Sequence, residues 1–296
     1  MTAFLQFLVD GLALGGAYAL MALGLVIVYG ILRLVNFAYG ELIMVTGYTL
    51  FLLGGSPLPW LVMAAVAVLM AVLTGIATDH VAFRPVRSQS VTAVLITSFA
   101  FSTLLQNAAL LLISPRPRSV PLPELFTETV RLGGVVTPVR NLITIATAVV
   151  LLALFALVMK RSVLGLAMRA AAANFTMARM LGVPANLVIT AAFAISGLLA
   201  GIVALLWLAR SAAVAPGIGL EPLLVAFIAT VIGGMRSLEG AVIGGFLLAF
   251  IDTGLNHLLP QDLLKFRDAF TFSAVILILL WRPEGLIRGP ATGRRT

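Results

Sequence analysis

Nine stretches of this 296-residue chain are predominantly apolar, at roughly 5–31, 36–54, 60–78, 92–113, 142–159, 188–209, 220–235, 239–258 and 268–282. A helix needs about 17–25 such residues to cross a bilayer. In hydrocarbon no water satisfies a backbone N–H or C=O, so runs of this kind close their hydrogen bonds internally, as helices. The composition agrees: 61% of the residues are hydrophobic and only 10% charged, where a soluble domain carries about 25% charge. The pattern predicts an all-α, polytopic transmembrane helix bundle of about eight or nine spans, a single domain over 1–296. The run at 220–235 is short, but it is counted as a crossing because a dip and return there would leave the arginines from Arg282 onward on the outside.

The charges set an expected orientation. Alternating sides place Arg116, Arg118, Arg131, Arg140, Arg210, Lys265 and Arg267 on one side and the other 12 of the 19 basic residues on the opposite one. Basic residues are retained on the cytoplasmic side, so the N-terminus is expected outside and the C-terminus inside. The net charge of +8 therefore comes from span ends and does not point to nucleic acid. With no cysteine and only His80 and His257, expected on opposite faces, neither a disulfide nor a metal site is expected. Met1 to Phe7 carries no basic residue, so the first run is expected to stay as a span rather than be cleaved as a signal peptide.

Four of the eleven acidic residues have a structural explanation. Glu41, Glu221, Glu239 and Asp268 stand where a span begins, and a carboxylate there is favoured by the helix dipole. Asp252 differs, because it lies inside the eighth run with Asn256 one turn later. An ionisable group inside a span is either functional or held by an interhelical hydrogen bond. The fourth run carries Ser98, Ser102 and Gln106 at four-residue spacing, with Asn107 alongside. That stripe is either glue between helices or the lining of a polar pathway. Gly11/Gly15, Gly197/Gly201 and Gly240/Gly244 are spaced for close helix contact and say only that the bundle is tight.

One segment is not a span and is too long for a plain loop. From Lys160 to about residue 187 the chain carries Lys160, Arg161, Arg169 and Arg179 and no carboxylate. Between Arg169 and Leu181 there is no Gly or Pro, so one short helix is expected, stopped by Gly182 and Pro184. Arg169, Ala173 and Met177 would then share a face. The segment is either a solvated linker or a cytoplasmic docking surface for a soluble partner. The chain itself has no phosphate-binding loop: Lys160 follows Met159 and Lys265 follows Leu264. No Ser-His-Asp set is present either, so a transporter powered by a partner or by an ion gradient is expected rather than an enzyme.

Six motifs in order resemble the permeases of branched-chain amino acid ABC importers, of the LivH type. They are Asn36-Phe-Ala-Tyr-Gly-Glu41, Arg84-Pro-Val-Arg-Ser88, Leu104-Leu-Gln-Asn107, the segment Leu164 to Pro184, Gly233-Gly-Met-Arg-Ser-Leu-Glu-Gly-Ala-Val-Ile-Gly-Gly245 and Trp281-Arg-Pro-Glu-Gly-Leu286. The resemblance implies a coupling segment seated on cytoplasmic ATPases, with Arg169, Ala170, Ala173, Asn174, Phe175, Arg179 and Gly182 as its contacts. It also implies two ATPase subunits that bind the ATP, a second permease subunit forming a heterodimer, a periplasmic solute-binding protein and a bacterial inner-membrane location. No cofactor of the chain's own is implied. The broad ABC pattern has Glu-Ala-Ala where this chain has Arg169-Ala-Ala, and the subgroup often has His where Tyr39 stands. Asn36, Glu41, Ser98, Ser102, Gln106 and Asn107 are the expected solute pathway. Urea and amide permeases look much the same along these stretches. The competing class is an ion-coupled secondary transporter using Asp252 or Glu41.

Overall fold

The computed structural model describes residues 2–87, 89–132 and 135–287, and each of the nine apolar runs is a helix in it. In order these are α1 (Thr2–Leu32), α2 (Tyr39–Leu53), α3 (Trp60–Ala77), α4 (Val91–Leu112), α5 (Val139–Arg161), α8 (Ala185–Ser211), α9 (Leu220–Gly233), α10 (Leu238–Leu258) and α11 (Arg267–Trp281). Between α5 and α8 lie α6 (Val163–Ala173) and α7 (Phe175–Met180). Six of the helices are long and apolar enough to cross a membrane. The remaining apolar runs fall short: α2, α9 and α11 have 15, 14 and 15 residues, which at about 1.5 Å per residue is roughly 22 Å. The nine expected crossings thus become six full-length helices and three short ones. The cause is local. The turn at Asn36 delays α2 to Tyr39, and α9 stops at Gly233 because Gly234 takes φ +108°.

The stretch after α4 carries short paired strands. Arg118–Ser119 (β1) pairs antiparallel with Ala213–Val214 (β4), and Thr129–Leu132 (β2) with Val135–Pro138 (β3). Short ladders thereby pair the backbone of Arg118–Ser119, Thr129–Leu132 and Val135–Pro138.

The chain divides into two compact units. The first comprises Met1–Val26, Pro123–Ala153 and Val225–Thr296. In it α10 packs through its glycines: a Cβ on Gly245 would meet the Ala19 backbone, and one on Gly244 would collide with the Ala229 carbonyl. The segment after α11 folds back on α9, where Leu286 N–H donates to the Ile232 carbonyl at 2.8 Å and Ile287 N–H to that of Gly233 at 3.1 Å. The Trp281–Leu286 motif thereby satisfies the end of a helix.

The second unit comprises Ile27–Leu122 and Leu154–Leu224, and its most extensive contact is α3 on α8. A Cβ on Gly197 would lie 2.7 Å from the Ala71 carbonyl oxygen, and one on Gly75 would lie 2.7 Å from that of Phe193. Both helices meet at backbone distance. The end of α3 widens into a π-helical turn, Thr78–Phe83, whose Phe83 ring packs on Phe193 with centroids 5.0 Å apart. Tyr48, Leu50, Met63, Ala67, Leu208 and Val214 form a buried cluster.

Two glycines separate packing from propensity. Gly30, inside α1, has nothing within 4 Å of an added Cβ, so Gly30→Ala is expected to stabilise by about 0.5–1 kcal/mol through helix propensity. Gly197→Ala overpacks backbone against backbone and is expected to cost about 1–3 kcal/mol. Thermal unfolding of the detergent-solubilised protein reads both, and equal shifts would show that α3 and α8 do not meet this closely.

Candidate functional site

Three of the polar residues expected along the pathway converge, all within the second unit. Glu41 sits in the first turn of α2 and is buried. Its Oε1 accepts from Ser102 Oγ at 2.8 Å and from Gln106 Nε2 at 2.7 Å, both on α4. Its Oε2 is buried without a hydrogen-bond partner. The first turn of α2 is held against the turn before α9, where Gly40 and Gly219 meet backbone to backbone and a Cβ on either would collide with the carbonyl of the other. Further along the same two helices, Met44, Val45, Tyr48, Leu105 and Ala109 help line a groove of about 250 Å³. The Tyr48 hydroxyl is buried and unpartnered.

The other three expected pathway residues do not join this cluster. Asn36 is buried, but its Oδ1 accepts from Ala38 N–H at 3.0 Å, which closes the turn between α1 and α2. Ser98 Oγ donates to the Leu95 carbonyl of its own helix. Asn107 is exposed and donates to the Thr103 carbonyl. Four-residue spacing places Ser98, Ser102 and Gln106 along one side of α4, but only the last two reach Glu41. Short hydroxyl side chains find a carbonyl three or four residues back as readily as a neighbouring helix.

Asp252 and Asn256 also separate. Asp252 is buried in α10 and meets Arg267 Nε at 3.1 Å and the Tyr18 hydroxyl at 3.3 Å, while Asn256 is exposed. A carboxylate already paired with a guanidinium is not poised to bind a transported ion. The sequence singled out Asp252 without its partners, because Tyr18 lies far from it in the chain and Arg267 stands beyond the end of its helix. Nor did it single out Asp79. That carboxylate is buried in the π-helical turn, with Oδ2 accepting from Thr190 Oγ1 at 2.6 Å.

The basic segment is two helices rather than one. Asn174 lies at φ −153°, ψ 100°, ending α6 and capping α7, with its side chain accepting from Met177 N–H at 3.0 Å. Asn competes well for backbone donors outside a helix and breaks this one. Arg169, Ala170 and Ala173 therefore belong to α6, Phe175 and Arg179 to α7, and the expected face of Arg169, Ala173 and Met177 does not form. The stop is as the sequence suggests: Gly182 takes φ +86°, and the N–H groups of Gly182 and Val183 donate to the carbonyls of Arg179 and Ala178. The outward edge is apolar, with Met180 77% and Leu181 80% exposed. Arg33, itself at φ 58°, donates from Nη2 to the Ala172 carbonyl at 2.7 Å, tying the end of α6 to the turn that leads into α2.

The Asp252 pair makes a prediction. Arg267→Leu leaves a buried carboxylate without its counter-charge and is expected to lower thermal stability more than the double change Arg267→Leu with Asp252→Asn. Equal losses would show that the pair is not coupled.

Comparison with known proteins gives the family. The profile of the family described as "Branched-chain amino acid transport system / permease component" matches residues 7–280. The chain is 35% identical over 302 residues to the high-affinity branched-chain amino acid transport system permease protein BraD of Pseudomonas aeruginosa, covering 97% of this chain and 96% of that one. It is 33% identical to LivH of Escherichia coli, named as a permease protein of the same kind of system, with the same coverage. A more distant match is the xylose transport system permease protein XylH of Escherichia coli, 30% identical over 186 residues, or 60% of this chain and 47% of that one. The chain is a multi-pass membrane protein and belongs to the branched-chain amino acid transport system permease family.

Proposed function

We propose that this permease moves branched-chain or similarly hydrophobic amino acids through the bacterial inner membrane, driven by two cytoplasmic ATPase subunits and fed by a periplasmic binding protein. A second permease subunit completes the pathway as a heterodimer. The observation that carries the reading is the two-helix insert. It has an apolar outward edge at Met180 and Leu181, arginines on both helices and a backbone tie through Arg33 to the turn before Glu41. A linker has no use for such an edge, whereas a docked ATPase buries it. ATP-dependent closure then biases the insert between two positions, and that difference drives transport.

The Glu41 cluster supports an amino acid over a neutral amide as solute. One buried oxygen of Glu41 has no partner, and an aliphatic groove continues along α2 and α4. A passing ammonium satisfies the former and a branched side chain the latter. Urea or an uncharged amide can donate to that oxygen but brings no positive charge to the carboxylate, and urea has no side chain for the groove. An ion-coupled carrier is disfavoured at Asp252, which is held by Arg267.

Three measurements test this. Paired substitution of Met180 and Leu181 by Asp is expected to release the ATPase while the permease still inserts and folds; an intact complex with unchanged ATP turnover would refute docking there. Glu41→Gln is expected to lower amino acid uptake about tenfold or more, since a hydrogen bond to a charged group is worth roughly 1.5–3 kcal/mol. Gln106→Leu is expected to lower uptake in the same direction with assembly and thermal stability retained, and normal uptake by both variants would remove this cluster from the pathway. We place the N-terminus in the periplasm and the C-terminus in the cytoplasm from the distribution of basic residues. The chain has no cysteine, so Thr129→Cys in whole cells is expected to react with an impermeant thiol reagent and Gln89→Cys to be protected. The opposite pattern reverses the orientation.

A further inference from the structure

Two segments nearly a hundred residues apart share one cleft. Arg84 and Arg87 follow the π-helical turn, and Phe175 and Arg179 stand on α7; with the turn at Val183–Asn186 they line a space of about 570 Å³. The second unit holds both walls in place. Phe83 packs on Phe193 and Thr190 donates to Asp79, which fixes the arginine-bearing turn beside the start of α8. The left-handed Gly182 returns the chain from α7 to the same place.

The charges in this cleft are one-sided. Among the described residues no carboxylate lies within 4.0 Å of Arg84, Arg87 or Arg179. The nearby Asp79 is buried and accepts from Thr190 instead. Three guanidinium groups lining one space repel one another, and a carboxylate accepting from their fork-shaped donors turns that repulsion into attraction. One wall of the cleft is α7, the helix whose exposed Met180 and Leu181 form the apolar edge of the insert. A partner seated on that edge lies next to the cleft and is placed to supply the anion that fills it.

Building on the docking reading above, we propose that the ATPase bound to the insert projects an acidic side chain into this cleft, where Arg84, Arg87 and Arg179 receive its carboxylate. The turn after α3 is then a second contact with the ATPase, separate from the apolar edge. Because that turn is fixed to α3 and α8, ATPase movement reaches those helices directly as well as through α6 and α7.

The chain has only two lysines, Lys160 and Lys265, which makes zero-length crosslinking clean. In the purified complex, Arg87→Lys and Arg179→Lys, treated separately with a carbodiimide, are expected to form an amide to an Asp or Glu of the ATPase. Arg210→Lys, on the exposed end of α8, is expected to form none. Replacing Arg84, Arg87 and Arg179 together by Ala is expected to weaken ATPase binding at least tenfold and to remove most of its salt dependence. The proposal is overturned if the wild-type complex assembles, neither lysine variant couples to the ATPase and the triple variant binds it as tightly as wild type. It is overturned equally if the triple variant loses only bound anionic phospholipid or inorganic phosphate with ATPase affinity unchanged. A wild-type permease that holds no ATPase at all refutes the docking reading itself, and this inference with it.

Discussion

No peptide group can go without a hydrogen-bond partner in the hydrocarbon, and that constraint decides where this chain bends. Each departure from helix carries its own satisfaction. Asn36 closes the turn between α1 and α2 with its side chain. Ser90, Ser162 and Ser237 each accept from a backbone N–H at the start of α4, α6 and α10. The carbonyls at the end of α9 are met by Leu286 and Ile287, from a segment that returns more than fifty residues later. The bends are therefore built features, and the residues proposed to serve transport sit beside them: Glu41 just after the first, the insert between two others.

Backbone proximity follows from the same constraint. With every polar backbone group paired inside its own helix, two helices can approach until only the absence of side chains limits them. Gly75 and Gly197 bring α3 onto α8, and Gly40 and Gly219 bring the start of α2 to the turn before α9. Contacts this close leave little freedom for sliding, so a displacement imposed at one end of α3 or α8 is carried along it as a rigid body. On the proposed docking reading, that property would let a short insert act on the helices around Glu41.

Three buried carboxylates show how differently one group can be used. Asp252 has a guanidinium and a phenol and is a structural pair. Asp79 holds Thr190 and shapes the π-helical turn that carries Arg84 and Arg87. Glu41 has two neutral donors on one oxygen and none on the other. A buried charge with incomplete partners is costly to keep; Asp79 Oδ1 also lacks a partner, and Glu41 differs in that the two helices around it continue into the groove lined by Met44, Val45 and Leu105.

The sequence by itself determined the class of fold, the helical runs, the first-turn positions of Glu41, Glu221, Glu239 and Asp268, and the stop at Gly182. All of these follow from apolar run length or from residue types acting on their immediate neighbours. The tertiary structure decided which polar groups meet. Ser98 and Ser102 are alike in the sequence, yet one satisfies its own helix and the other a carboxylate 61 residues away. The break at Asn174 was misread as continuous helix because an Asn is tolerable inside one and becomes a cap only when both neighbouring segments are anchored elsewhere. The Arg84–Arg87 turn and α7 gave no sign of sharing a cleft. Pairing between distant segments depends on how whole helices pack, and no local pattern of residues encodes that distance.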